Sequence, residues 1–71
     1  MLSTAQLCML RCLKQPVELS LLEIFRLRNG ATPEEVIMLE RLGYIAKRSS
    51  YMELTSVGKK AYKREKKGRY F

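Results

Sequence analysis

The segment 39–60, LERLGYIAKRSSYMELTSVGKK, constrains the fold most, because it places a helix end, two strand-like runs and a helix start in close succession. Gly43 predicts the helix end, since glycine readily adopts the left-handed conformation that closes helices. Residues of alternating character on either side of Ser49 and Ser50 predict an antiparallel hairpin. We expect its strands to cover 44–48 and 51–55.

A last helix is expected directly after the hairpin. Thr55 or Ser56 can supply the N-cap, because a side-chain hydroxyl accepts a hydrogen bond from a free backbone N–H of the first turn. The helix repeat then places three apolar side chains on one narrow stripe: Val57, Ala61 and Tyr62. In the hairpin, the side chains predicted to point inward are Ile45, Met52 and Leu54.

Three earlier helix starts have the spacing of a capping box, in which two side chains satisfy backbone donors reciprocally. Pro33 follows one of them at the first helical position, where its missing N–H is not needed. A short edge strand is predicted at 17–19, between the first two helices. The capping pairs are Ser3 with Gln6, Ser20 with Glu23, and Thr32 with Glu35, and the predicted stops are Pro16, Asn29-Gly30 and Gly43.

The predicted order is helix, strand, helix, helix, strand, strand, helix, and two runs lie at its corners: Leu42-Gly43-Tyr44-Ile45 and Leu54-Thr55-Ser56-Val57-Gly58. This order and these runs resemble the winged helix-turn-helix superfamily, including MarR-like and PadR-like small transcriptional regulators, over about 17–62. It implies a mainly α fold with a small β-hairpin wing, in the order α-β-α-α-β-β-α. Since a chain of 71 residues supports one core, we expect one winged helix-turn-helix domain at 1–62 and a basic tail at 63–71.

Positive charge is concentrated near the end of the chain. The formal net charge is +7, and residues 59–71 hold half of the 14 Lys and Arg residues but one of the seven acidic residues. A basic segment on a nearly neutral body suggests a polyanionic partner, or simple solvation of the segment.

Duplex DNA is the partner that the resemblance implies, with the third helix in the major groove and the wing beside it. Cations, hydroxyls and an aromatic ring at the wing tip suit contacts with a DNA backbone or minor groove. The predicted nucleic-acid-binding residues are Arg41 in the third helix, Lys47, Arg48, Ser49, Ser50 and Tyr51 in the wing, and Lys59, Lys60, Lys63, Arg64, Lys66 and Lys67 after it.

The third helix is acidic for a helix that would lie between phosphates. The helix repeat buries Val36, Leu39 and Leu42. Three glutamates against one arginine disfavour phosphate contact. The alternative function is therefore a protein-interaction module on the same fold that binds or inhibits a host protein through Glu34, Ile37, Met38 and Glu40. RNA is a third, weaker candidate partner. The exposed face comprises Pro33, Glu34, Ile37, Glu40 and Arg41, with Glu35 and Met38 at its margins.

The first helix suggests a homodimer. Its predicted apolar face leaves Leu7 on the polar side, with Ser3, Arg11 and Lys14. An exposed leucine on a terminal helix, together with Tyr70 and Phe71 at the other end of the chain, could contribute to pairing of two copies. The predicted apolar face comprises Ala5, Cys8, Met9, Cys12 and Leu13.

Catalysis, metal binding and membrane insertion are not expected. The chain has no histidine and no aspartate, so the usual general bases and triad residues are missing. Without histidine, Cys8 and Cys12 cannot complete a tetrahedral zinc site within one chain, and we expect two buried thiols. No glycine-rich phosphate loop indicates a cofactor. The apolar runs are far shorter than the ~20 residues needed to cross a bilayer, and we expect a cytoplasmic protein.

Overall fold

The structure, a computed structural model, describes residues 1–67. Within that range it contains four α-helices, one short 3-10 helix and a three-stranded antiparallel sheet, which confirms the predicted mainly helical class and element order. Residues 68–71, the end of the predicted tail, lie outside the described residues. The helices are α1 (Thr4–Cys12), α2 (Leu22–Arg28), α3 (Pro33–Arg41) and α4 (Ser56–Lys66), and the strands are β1 (Val17–Glu18), β2 (Ile45–Arg48) and β3 (Tyr51–Leu54).

Two of the three predicted capping boxes are confirmed. Ser3 Oγ accepts from the Gln6 backbone N–H at 3.1 Å, and Gln6 Oε1 accepts from the Ser3 N–H at 2.9 Å. Thr32 and Glu35 make the same reciprocal pair at 3.1 and 2.9 Å. These caps fix where α1 and α3 begin, because each satisfies backbone donors that the helix itself leaves free.

The third predicted box, at Ser20, is wrong. The chain forms a 3-10 turn over Leu19–Leu21 before α2, and no side chain caps the start of either helix. Glu23 instead accepts a hydrogen bond from Arg26 Nε at 3.0 Å. The predicted stop at Pro16 also differs, since α1 already ends at Cys12.

The sheet confirms the predicted hairpin and edge strand. Its order is β1-β3-β2, so β1 pairs along the outer edge of β3. Ile45 lies opposite Leu54 and Val17 opposite Met52, and all four side chains are buried. The backbone N–H of Leu19, directly after β1, donates to the Ser50 carbonyl at 2.8 Å. This hydrogen bond connects the hairpin tip to the edge strand.

The segment between α3 and the start of α4 shows why glycine is required at positions 43 and 58. Gly43 has a φ of +78° and ends α3. Thr55 Oγ1 lies 2.6 Å from the Gly43 carbonyl oxygen and accepts from the Gly58 N–H at 2.9 Å. A Cβ on Gly58 would overlap the Tyr44 carbonyl oxygen and lie 2.7 Å from a methyl carbon of Leu54. Glycine at position 58 therefore lets α4 pack directly on the chain that enters the wing.

The predicted exposure of Leu7 is wrong, because this side chain is fully buried. Helix α1 packs against α4, α3 and α2, so more than one of its faces is covered and the single-face prediction fails. Met9 and Leu13 are buried as predicted, and Leu10 joins them. Three other residues of the predicted apolar face are only partly buried: Ala5, Cys8 and Cys12.

Two further burial predictions are wrong. Leu42, the C-cap of α3, is exposed although its backbone is still helical, because the helix repeat gives the direction of a side chain but not what covers it. Val57 is exposed in the first turn of α4, and Gly58 takes the predicted place beside Ala61 and Tyr62 on the buried side. The predicted burial of Val36 and Leu39 is confirmed.

Candidate nucleic-acid interface

Helix α4 carries its cations on one side. At ~100° per residue, the five Lys and Arg side chains of the helix span about 160° of its circumference. Gly58 and Ala61 are buried on the opposite side, and Tyr62 is buried at the edge of the cationic side. Lys67 follows as the C-cap and is also exposed. We call this surface the α4 face, and its residues are Lys59, Lys60, Lys63, Arg64, Lys66 and Lys67.

A residue after α1 extends this cationic surface. Lys14 Nζ lies 4.8 Å from the centroid of the Tyr62 ring, and Lys66 Nζ lies 5.1 Å from the same centroid. Together with neighbouring side chains they form a concavity of about 280 Å³, here called the Tyr62 cleft. The cleft is lined by Lys14, Leu54, Lys59, Tyr62, Lys63 and Lys66.

The position of Lys14 beside Tyr62 was not predicted from the sequence. The helix repeat placed this residue on the polar side of the first helix, but nothing near position 14 indicates which distant segment packs beside it. The contact follows from the packing of α1 on α4. A backbone hydrogen bond from the Leu54 N–H to the Leu13 carbonyl, at 3.1 Å, fixes the chain next to Lys14.

The hairpin of β2 and β3, which is the predicted wing, presents all five of its predicted contact residues to solvent. Ser49 has a φ of +56°, in the left-handed region that two-residue hairpin turns require and that glycine or asparagine usually supplies. Arg48, Ser49 and Tyr51 also line a surface concavity of about 380 Å³ with Pro16 and Glu53. Three of the five predicted residues thus share one surface at the hairpin tip.

The two wing cations differ in their surroundings. Arg48 Nη1 lies 3.3 Å from Glu53 Oε1, which forms an ion pair on the outer face of the sheet. Glu18 lies on the same face, opposite Tyr51. No carboxylate within residues 1–67 forms an ion pair with Lys47. Lys47 is therefore the wing cation whose charge is least compensated.

The exposed side of α3 gathers most of the residues predicted for a protein partner. Ile37 is 47% exposed and Met38 is 53% exposed. They line a shallow groove of about 260 Å³ with Glu34 and Arg41. Glu40 is also exposed but does not line this groove. We call Glu34, Ile37, Met38 and Arg41 the α3 groove.

Glu35 points away from that groove and contacts α1. Ser3 Oγ donates to Glu35 Oε2 at 2.5 Å, and Gln6 Nε2 donates to the Glu35 carbonyl at 3.1 Å. The hydrogen bond from Ser3, followed by the backbone hydrogen bond from Thr32, holds the pKa of Glu35 below its usual value. The outward face of α3 therefore carries two carboxylates rather than the predicted three.

The prediction of two buried thiols is wrong in detail, since both cysteines are partly exposed and free. The Asn29 side-chain amide lies 3.2 Å from Cys12 Sγ, so that sulfur has a polar neighbour. Among residues 1–67, no group of three or more His, Cys, Asp and Glu side chains is placed to hold a metal ion.

The homodimer prediction loses its support from α1, because Leu7 is buried. Tyr70 and Phe71, its other basis, lie outside the described residues. A dimer stays a prediction. In the described part of the chain, 1–67, no helix combines the length and the apolar character that crossing a bilayer requires.

In the comparisons with known proteins, no protein-family model, curated protein or solved structure matched this chain.

Proposed function

We propose that this chain is a small DNA-binding protein of the winged helix-turn-helix type, a transcriptional regulator of phage or bacterial kind that acts by binding rather than catalysis. The one-sided α4 face carries the proposal. Affinity for duplex DNA comes largely from cations that neutralise phosphates and release counterions. Five exposed cations on a single side of one helix can follow a phosphate backbone together, whereas cations distributed around the helix could not, and Lys67 at the cap adds a sixth exposed charge.

The wing and α3 complete the proposed interface. The hairpin tip, tied to β1 and closed onto α4 at Thr55, would bring Lys47 to the backbone beside the groove. Helix α3 would approach the major groove, with Arg41 able to bind guanine and Glu34 able to accept from a cytosine amino group. Apolar contact of Ile37 with thymine methyl groups would add sequence preference.

The low exposure of two tyrosine rings favours duplex DNA over RNA as the partner. Sequence-specific RNA recognition stacks splayed bases on exposed aromatic rings. Tyr62 is 5% exposed and Tyr44 is partly buried, so neither offers an open ring face. Tyr51 at the wing tip is the exposed tyrosine within residues 1–67. In the described part of the chain, a cationic surface with one exposed tyrosine ring suits a phosphate backbone better than a row of unstacked bases.

Fluorescence anisotropy with a labelled duplex of mixed sequence tests the proposal, using structured RNA of equal charge in parallel. We expect the protein to bind the duplex more tightly than the RNA at low salt. Replacing both Lys60 and Lys63 by Gln should reduce the slope of log K against log[salt] by about two. Arg28→Gln is the matched control, because Arg28 is an exposed cation on α2, and it should leave the slope unchanged. Absence of duplex binding at low salt would refute the function.

A protein partner bound at the α3 groove is the second candidate function. The observation that favours it is the pair of half-exposed apolar side chains, Ile37 and Met38, between Glu34 and Arg41. Charge reversal separates the two functions. Replacing Glu34 and Glu40 by Lys should strengthen duplex binding if α3 faces DNA. The same variant should lose a protein partner that the wild type captures from nuclease-treated lysate if α3 binds protein.

A further inference from the structure

Four lysines converge on the Tyr62 cleft from two distant parts of the chain. Lys59, Lys63 and Lys66 lie on one stripe of α4, and Lys14 follows α1. No ion pair within residues 1–67 involves any of the four. Among the described residues, 1–67, no carboxylate lines the cleft. As far as residues 1–67 are concerned, the positive charge of the cleft is therefore uncompensated.

The arrangement is unfavourable without a partner. Like charges held close together repel one another and destabilise the folded chain. The Tyr62 ring offsets part of this repulsion, because an ammonium near an aromatic ring gains roughly 0.5–1 kcal/mol at an exposed site. Two ammonium groups share that one ring, those of Lys14 and Lys66. An anion in the cleft would relieve the remaining repulsion.

The chemistry of the cleft selects a phosphate rather than a base. Its donors are lysine ammonium groups, which bind phosphate as point charges without a fixed geometry. Tyr62 has no open face on which a base could stack, since it is 5% exposed. The remaining lining residue, Leu54, is apolar and buried. Nothing in the cleft offers the paired donors and acceptors that read the edge of a base.

We propose that the Tyr62 cleft binds backbone phosphates of the DNA, with Lys14 as a phosphate ligand contributed from outside the basic helix. This inference rests on the proposed function. The bound backbone then runs along the side of α4 that faces the end of α1. Because phosphates carry no sequence information, Lys14 contributes equally on every duplex.

The test measures duplex affinity against salt concentration for wild type, Lys14→Gln and Lys14→Arg. Arg28→Gln is the control for loss of one exposed cation elsewhere. We expect Lys14→Gln to reduce the salt slope by about one and to weaken binding roughly five- to tenfold near 0.1 M salt, on two unrelated duplex sequences alike. Lys14→Arg should restore the slope, since it keeps the charge. Thermal unfolding of each variant establishes that it is folded.

The outcomes separate the two claims. If wild type binds duplex and Lys14→Gln keeps the wild-type slope, the cleft is not a phosphate site and the proposed function stands. A loss of affinity on one duplex sequence but not the other would also overturn the inference, since it would make Lys14 a base contact. If wild type binds no duplex, the proposed function fails and the inference falls with it.

A small polyphosphate is the other source of the same chemistry. Titration of wild type with tripolyphosphate distinguishes it from a nucleic-acid backbone. Weak, non-saturating binding supports the backbone assignment. Saturable one-to-one binding that displaces the duplex and is lost in Lys14→Gln would assign the cleft to a small polyphosphate and overturn the proposal.

Discussion

Leu7 shows how packing decides the environment of a single residue. Its neighbours on the helical wheel are polar, which predicts exposure, yet it has no solvent-exposed surface. Ala61 and Tyr62 of α4, the helix that packs on α1, are also buried. The side chain that served as evidence for a dimer is instead part of the core.

Truncation of Leu7 should therefore destabilise the protein strongly. We expect Leu7→Ala to lower the free energy of unfolding by ~2–5 kcal/mol, because it removes buried methyl groups and leaves a cavity. Leu27→Ala is the control, since Leu27 is 63% exposed on α2 and should change stability by less than about 0.5 kcal/mol. Urea denaturation of both variants gives the two values. Equal stabilities would contradict the burial of Leu7.

Gly58 is constrained by space rather than by backbone conformation. Ala in a helix interior is ordinarily more favourable than Gly by about 1 kcal/mol. At this position the added Cβ meets the Tyr44 carbonyl and the Leu54 side chain. We expect Gly58→Ala to destabilise the protein by a net ~1–3 kcal/mol, through overpacking. Ser56→Ala, an exposed change in the same turn, should be close to neutral by thermal unfolding. A more stable Gly58→Ala protein would show that α4 does not pack on Tyr44.

At the scale of the elements, Glu35 joins two helix starts. Its carboxylate caps α3 through the Thr32 N–H and accepts from the Ser3 hydroxyl at the start of α1. The orientation of α1 on α3 is thus fixed by hydrogen bonds as well as by apolar contact. The sequence predicts the local capping box, but the bond to Ser3 crosses 32 positions of the chain and appears only when the helices meet.

The low pKa of Glu35 predicts a pH-dependent contribution to stability. A carboxyl whose pKa is lower in the folded state stabilises the protein above its unfolded pKa, near 4.5, and loses that contribution as the pH falls through the folded pKa. Glu35→Gln should therefore be less stable than wild type at neutral pH by about 1 kcal/mol. The difference should shrink on acidification below pH 4.5.

Urea denaturation at several pH values measures this difference. Glu34→Gln is the matched control, because Glu34 lies in the same first turn and makes no hydrogen bond to α1 in the described structure. If the free energy of unfolding of Glu35→Gln differs from that of wild type by the same amount from neutral to acid pH, the low pKa assigned to Glu35 is wrong.

At the scale of the whole molecule, charge is separated among three surfaces. The first surface, formed by the α4 face and the adjoining Tyr62 cleft, is cationic. The second, the α3 groove, has one acidic and one basic residue beside its apolar side chains. The third, the outer face of the sheet, holds Glu18 and Glu53 near Arg48. A partner with a negative surface is therefore directed to α4 and to Lys47. Because of this separation, Lys47 and Arg48 should contribute unequally to the affinity of the proposed DNA complex.

We expect Lys47→Gln to weaken duplex binding more than Arg48→Gln, because Glu53 already compensates part of the charge of Arg48. Removing that acid should have the opposite effect. Glu53→Gln should strengthen binding roughly two- to fivefold at low salt, and less at high salt, where surface charges are screened. Anisotropy titrations at two salt concentrations measure all three variants. A larger loss for Arg48→Gln than for Lys47→Gln would show that the ion pair opens in the complex.

The sequence alone determined the parts of this protein that depend on neighbours along the chain. The capping boxes at Ser3 and Thr32, the stop at Gly43, the hairpin around Ser49 and the cap at Thr55 were predictable because each depends on hydrogen bonds or backbone conformations within a few residues. The cationic side of α4 was not predicted, because residues from Lys63 onward were assigned to a tail; the helix repeat places those side chains only once α4 is known to reach Lys66.

Only the tertiary structure decided which surfaces remain exposed and which distant residues meet. The burial of Leu7, the exposure of Leu42 and Val57, the turn of Glu35 toward Ser3 and the place of Lys14 beside Tyr62 depend on how α1 packs on α3 and α4. The helix repeat gives the direction of a side chain but not what lies opposite it. Whether a given side of α1 meets solvent, α3 or α4 follows from chain closure and from burial of apolar surface across the whole molecule.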